Sequence, residues 1–306
     1  LRHQAWESAA ELDPYRDEPA QMRSGVVGKS GSLKLEFQKR GERSVLTRLS
    51  RRVPYLVQQA LYYDEGMPNL PCVFLITTTG CVLQGDRLHL EVKLGDGAQA
   101  HLTTQSTTQI HSMNANYAAQ SQDITLGEGA YLEYLPDPVC PHARSRFLSD
   151  TRIRMGAGST AIISEVLMAG RKHHGSGELF EFELFSSRLS VEDSQGRELA
   201  TEKLVVEPGA ENLRQVGRMG VFDVFANVYA LTPPEQAERI WAQTPAIFDA
   251  QAGLAAGASR LPNGAGLLFK VLGRETAPVV ASVREFWKTV RQVATGAPVM
   301  KEFLWK

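Results

Sequence analysis

Three turns of one kind, set at a nearly constant interval, constrain this chain more than any other feature. Gly95-Asp96-Gly97-Ala98, Gly127-Glu128-Gly129-Ala130 and Gly156-Ala157-Gly158-Ser159 recur roughly every 30 residues, a period at which supersecondary units stack. Each turn joins a strand to a strand. Upstream lie Arg87–Leu94, Gln122–Leu126 and Thr151–Met155; downstream lie Ala98–Thr104, Tyr131–Leu135 and Thr160–Val166. In the first of these, Leu88, Leu90, Val92 and Leu94 alternate with Arg87, His89, Glu91 and Lys93, the period of two that a half-buried strand requires. A looser fourth copy is expected at Val205–Leu213, around Pro208-Gly209-Ala210. A strand–turn–strand unit cannot bury a face alone, so its copies must stack or layer. The sequence predicts a mainly β protein, its large body built as layered sheets or as a helix-like wrap of strands. Spacing alone leaves these two open.

Around the repeat the texture changes twice. Residues 1–24 carry little periodicity and read as an N-terminal arm. Residues 25–230 form the β-rich body, beginning with Leu33, Leu35 and Phe37 in alternation and with Arg48, Arg51 and Arg52 as a solvated edge. Residues 231–306 read as a small α+β subdomain packed on the body. Its first helix starts at Thr232-Pro233-Pro234-Glu235 and is expected to reach Asp249. Pro262-Asn263-Gly264 turns between two short strands, and Val283, Phe286, Trp287, Val290 and Val293 recur at helical spacing.

Charge and composition exclude whole classes. A net charge of −1 gives no basic footprint for nucleic acid or an anionic membrane. No apolar run is long enough to cross a bilayer, and the polar N-terminal stretch lacks the apolar core of a signal peptide. Three cysteines, Cys72, Cys81 and Cys140, do not make a disulfide framework. The expected location is cytoplasmic.

The familiar catalytic signatures are missing. The Gly-x-Gly pairs lie between strands, not between a strand and a phosphate-binding helix, and neither GxSxG nor HExxH occurs. Metal-capable residues are spread out: His111 with Met113, Cys140 with His142, and the doublet His173-His174. Imidazole and thiolate suit borderline cations such as Ni²⁺, yet no spacing makes a closed zinc site. A metal-dependent enzyme using His111, Cys140, His142 and carboxylates is the alternative reading. Four carboxylates stand at notable positions: Asp86 after Gly85, Glu133 within an aromatic strand, Glu165 within an aliphatic one, and Glu178 after Gly177. A charge among apolar strand residues is costly unless paired or hydrated. These four either pair with Arg144, Arg146, Arg171 or Lys172, or line a hydrated passage through the body. For Glu133 and Glu165 the ion pair is the first expectation. Phe303-Leu304-Trp305 near the end needs burial, against the body or a partner.

The runs GCVLQGDRL, GAQAHLTTQSTTQIHSMNANYAAQ, YLEYLPDPVCPHA, SEVLMAGRKHH, EKLVVEP and the final FLWK resemble urease accessory proteins of the UreD/UreH type, from about Asp17 to the end. Gly80, Gly85 and Asp86 match one signature of that family, Gly177-Glu178 a second, and Leu132-Glu133 with Leu135-Pro136 a third. The resemblance implies a strand-rich layered scaffold, not an enzyme. Such a scaffold binds apo-urease, joins it to a UreF-type protein and a UreG-type GTPase, and conducts Ni²⁺ through an internal passage. It implies no tightly bound cofactor, only nickel in transit. The chain departs from commoner members at Thr78-Thr79-Gly80-Cys81, where they carry a proline pair and a glycine pair, and at His111-Ser112, where they carry tyrosine-arginine.

Overall fold

A computed structural model describes residues 5–20, 29–210 and 212–300. The chain builds two large sheets that face each other. Sheet 1 comprises β1 (Ser30–Arg40), β2 (Arg43–Arg52), β6 (Arg87–Leu94), β9 (Ala118–Leu126), β12 (Arg146–Met155), β14 (Leu184–Asp193) and β15 (Glu198–Val206). Sheet 2 comprises β3 (Tyr55–Leu56), β4 (Cys72–Thr77), β7 (Gln99–Thr104), β10 (Tyr131–Tyr134), β13 (Thr160–Met168), β16 (Val224–Leu231), β17 (Ile247–Asp249), β18 (Leu254–Arg260) and β19 (Gly266–Gly273). A side ladder of β5 (Cys81–Val82), β8 (Thr108–Ile110) and β11 (Val139–Pro141) joins sheet 2 through β13.

The three glycine turns explain how the sheets are made. Each carries the chain from sheet 1 to sheet 2, from β6 to β7, from β9 to β10 and from β12 to β13. Within sheet 1, β6, β9 and β12 pair in parallel, and within sheet 2 so do β7, β10 and β13. The body is therefore a coil of strands whose two sides are the two layers, so both expected descriptions apply at once. The turns stack as rungs. Gly97 N–H donates to the Glu128 carbonyl and Gly129 N–H to the Ala157 carbonyl, each at 2.8 Å. A Cβ on Gly156 would lie 2.5 Å from the Gly127 carbonyl oxygen, so the first glycine is required by the approach of the turn beneath. The second, Gly158, stands at φ 67°, where a side chain is strained. Among the described residues the expected fourth copy adds no rung: β15 pairs antiparallel with β14 at the sheet edge.

The space between the sheets is filled from both sides by alternating residues, among them Leu33, Leu35 and Phe37 of β1, Leu90 and Val92 of β6, Leu132 of β10 and Ile153 of β12. The opposite face of sheet 2 is covered by α1 (Pro234–Ala242) and α2 (Thr276–Thr295). Val279, Val283, Phe286, Trp287 and Val290 of α2 pack on Ile162, Val228, Phe269 and Val271, with Phe269 and Phe286 stacked at 4.5 Å between centroids. The first helix is shorter than expected. It stops before Pro245, which disfavours helix at the residue ahead of it, and Ile247–Asp249 pairs with β18 instead. Strands β16 to β19 continue sheet 2 without a break. Near the other end of the chain, two short 3-10 helices (Ala5–Glu7 and Ala10–Tyr15) lay Trp6 and Leu12 on Ala119, Leu148 and Leu184 of sheet 1 and on Tyr117 just ahead of β9. The result is a mainly β molecule with a small C-terminal helical layer.

Candidate functional site

The inward positions of sheet 1 change character along the strands. Toward the glycine turns they are Leu94, Leu126 and Met155; farther from the turns, among Leu88, Leu90 and Leu189, stand Gln120 and Gln122 of β9, Ser149 and Thr151 of β12 and Ser187 of β14. Registered pairing puts Gln120, Ser149 and Ser187 side by side on β9, β12 and β14. A polar stripe thus runs across the strands. Its members are bonded to one another and to sheet 2: Gln122 Nε2 donates to Thr151 Oγ1 at 2.9 Å, the Tyr134 hydroxyl donates to Gln122 Oε1 at 2.7 Å, and Gln120 Nε2 donates to the Tyr55 hydroxyl at 3.1 Å. Buried polar groups that are satisfied in this way cost little.

Two cavities lie along the stripe. The inner, of about 110 Å³, touches Tyr55, Gln122, Tyr134 and Thr151. The outer, of about 430 Å³, touches Glu202, Asn227, Lys270 and the loop around Met219. They meet at Glu165, Ser187 and Tyr229, which line both. Burial pushes the Glu165 carboxyl up to about 7, against the opposing hydrogen bond with Ser187. Lys203, Arg218 and Lys270 line the outer cavity with it, but among the described residues no salt bridge joins Glu165 to a cation, so the expected ion pair is replaced by a carboxyl that holds its proton near neutrality. A carboxyl that can give its proton to water and take a cation in exchange is what the arrangement offers chemically.

The other three carboxylates are held elsewhere. Asp86, just ahead of β6, accepts the Lys29 amide at 2.7 Å and the Leu83 amide at 2.9 Å; burial raises its pKa against those two bonds. Glu178 pairs with Arg171, Nε to Oε2 2.8 Å, one of the partners expected, and that hydrogen bond lowers its pKa. Glu133 points to the helical side of sheet 2. There it meets not Arg144 or Arg146 but Arg291 of α2, with Nε 2.7 Å from Oε1 and Nη2 2.6 Å from Oε2. His101 Nδ1 at 2.7 Å and the Tyr131 hydroxyl at 2.6 Å complete its shell. Burial pushes Glu133 up, but the bonds from His101 and Arg291 outweigh it and hold the carboxyl at about 2.

The metal-capable residues gather only in part. Cys140 on β11 is buried and its thiol is pushed up to about 11 by that burial, so it is no thiolate. Met113 is buried in the inter-sheet core. His111 and His142 come together, ring centroids 5.4 Å apart. Among the described residues no three of His, Cys, Asp and Glu are grouped to hold a metal ion. Phe303, Leu304 and Trp305 lie outside the described residues.

The family model described as UreD urease accessory protein matches residues 29–306. The chain belongs to this family. It is similar to the urease accessory protein UreD of Yersinia pseudotuberculosis, 54% identical over 299 residues, covering 98% of this chain and 93% of the relative. It is also similar to the protein of that name from Yersinia enterocolitica, 52% identical over 311 residues and covering 100% and 96%. The urease accessory protein UreD 2 of Brucella suis is 52% identical over 297 residues, covering 97% and 98%. UreD family membership supports a role in urease maturation. No helix among the described residues is long and apolar enough to cross a membrane.

In this UreD family member, Arg291 and the polar stripe lie outside the residues expected from sequence. Arg291 interrupts the apolar face of α2 one turn beyond Trp287, and a lone charge on such a stripe is a signal for a buried partner. Gln120 and Gln122 occupy inward positions of an alternating strand, the corresponding signal for a polar interior.

Proposed function

We propose that the chain is a cytoplasmic urease-maturation scaffold that binds apo-urease, links it to UreF-type and UreG-type proteins, and lets Ni²⁺ pass between its sheets. The observation that carries the reading is the junction of the two cavities at Glu165, Ser187 and Tyr229. A cation crossing a protein must exchange part of its hydration shell for oxygen ligands that hold it weakly enough to let go. Hydroxyls, amides and one carboxyl that can lose its proton meet that need; a cage of thiolates would trap the ion. Nickel is cargo in this reading, with no resident cofactor and no chemical step. The C-terminal Phe303-Leu304-Trp305 is proposed to contact a partner.

The test is urease activation in cells at limiting nickel, with pull-down of the partners alongside. Glu165→Gln should leave the complex assembled but slow activation several-fold, with recovery as nickel is raised. Removal of residues 301–306 should instead weaken the pull-down. Full-rate activation by an assembled Glu165→Gln complex at limiting nickel would overturn the passage.

A further inference from the structure

His111 and His142 are 31 residues apart in the chain and are brought together by the side ladder. β8 and β11 run parallel with Gln109 opposite Cys140 and Ile110 opposite Pro141, so the next residues of the two strands, His111 and His142, stand side by side. Backbone bonds fix both ends: His111 N–H donates to the Val82 carbonyl and His142 N–H to the Ile110 carbonyl, each at 2.9 Å. Alternation places the two imidazoles on the face opposite Thr108 and Val139, which line the inner cavity. His111 is exposed and His142 is buried beneath it.

The hydrogen bonds of each ring assign its free nitrogen. His111 Nδ1 lies 3.2 Å from the Ser112 carbonyl oxygen, and His142 Nε2 lies 2.8 Å from Gln109 Oε1. Both oxygens only accept, so each of those nitrogens carries the proton. The lone pairs are left on His111 Nε2 and His142 Nδ1. An imidazole whose other N–H is tied to a carbonyl oxygen is the arrangement found behind metal-ligating histidines, where it fixes tautomer and ring orientation. A first-row cation sits about 2.1 Å from a ligating nitrogen, which puts two imidazoles sharing it at centroids about 5 Å apart. The observed centroid separation, 5.4 Å with the rings tilted by 51°, is of that order. Burial, together with the positive Arg171, lowers the pKa of His142, which favours the neutral, ligating form.

We infer that His111 and His142 form a two-imidazole surface site for a borderline divalent cation, with water completing the shell. Neighbouring groups set its limits. The Cys140 thiol stays protonated and the Glu178 carboxylate is engaged by Arg171, so among the described residues the site has two imidazole donors and no free anion. Such a set prefers Ni²⁺, Cu²⁺ or Zn²⁺ to Mg²⁺ or Ca²⁺, and it holds the ion loosely enough to pass it on. The choice of nickel as the physiological ion rests on the proposed function; the site itself rests on the rings.

Equilibrium dialysis of the full chain against Ni²⁺, with X-ray absorption of the bound ion, tests this. The parent should hold a nickel ion with two imidazole nitrogens in its first shell, undisturbed by excess Mg²⁺. His111→Ala, at an exposed position that spares the fold, should weaken that ion at least about tenfold, and Gln109→Leu should weaken it less, by freeing the His142 ring. His111→Ala/His142→Ala should lose the ion altogether. Unchanged stoichiometry and affinity in the double variant would overturn the site, as would an absorption spectrum without imidazole. Failure of the passage shows separately, as full activation by Glu165→Gln with the dialysis result intact.

Discussion

Glu133 and Arg291, 158 residues apart, meet in a two-pronged ion pair in which neither side chain has any solvent exposure. The pair ties α2 to the middle of sheet 2, and Asp64 joins it through Arg291 Nη1. Removing the cation leaves two buried carboxylates uncompensated. Arg291→Met should therefore destabilise the fold by about 3–5 kcal/mol, read as a lower denaturant midpoint. The pH dependence has a definite sign. The carboxyl of Glu133 is held below its ordinary range, at about 2, so its stabilisation is present above that range and is lost as pH falls toward the folded value. The deficit of Glu133→Gln relative to the parent should shrink as pH is lowered from neutral toward 3, and a constant deficit would contradict the pairing.

Glu165 should show the opposite behaviour. Its carboxyl titrates near 7, so the folded state prefers the neutral form, and stability falls as pH rises from the ordinary carboxylate range through 7. Glu165→Gln should match the parent near pH 5. It should exceed it near pH 8 by on the order of 2 kcal/mol, less than the full shift because the side chain still touches an open cavity. Thermal melts at the two pH values decide the matter.

The two glycines of one turn should differ in their tolerance of alanine. At Gly156 the added methyl meets backbone of the turn beneath, whereas at Gly158 it meets nothing within 4 Å. Gly156→Ala should cost about 2–3 kcal/mol through displaced rungs. Gly158→Ala should cost only the about 1 kcal/mol of a left-handed alanine. Equal losses in denaturant titrations would mean that the turns do not stack as described.

Asp86 spends both carboxylate oxygens on backbone amides. An asparagine keeps one acceptor and turns a donor toward the other amide. Asp86→Asn should cost about 1–2 kcal/mol. Urease activation, normalised to folded protein, separates this from transport: a fall beyond the loss of folded chain would give Asp86 a part in handling the cation.

The coil of strands was legible because its determinants are local. Gly127 and Gly156 mark turns, and the alternation of Leu88 to Leu94 marks a strand, without knowledge of distant residues. The end of α1 lies several residues before its expected place because Ile247 and Phe248 suit helix or strand alike until β18 is there to pair them. The partner of Glu133 was out of reach for a different reason. Which face of β10 looks toward α2 depends on how the whole coil is registered, and candidates chosen by nearness in sequence omitted residue 291. For the stripe, Gln120 and Gln122 were visible singly, but Ser149 and Ser187 become their neighbours only through the pairing of three strands.

Gln120, Ser149 and Ser187 belong to adjacent strands of one hydrogen-bonded ladder. Their separation is the strand-to-strand distance, about 4.8 Å, which is a constant of the backbone. Mutation can alter what stands at each interval but not the interval itself. An ion moving along this line would meet fresh ligands at a pitch close to the reach of one water molecule between two oxygens. Evolution is then free to tune the chemistry at each stop, while the stride is set by the peptide bond. Only a shift of register could disturb it, and a shift by one residue would turn Gln120 outward together with Ile124 and Leu126, exposing the core.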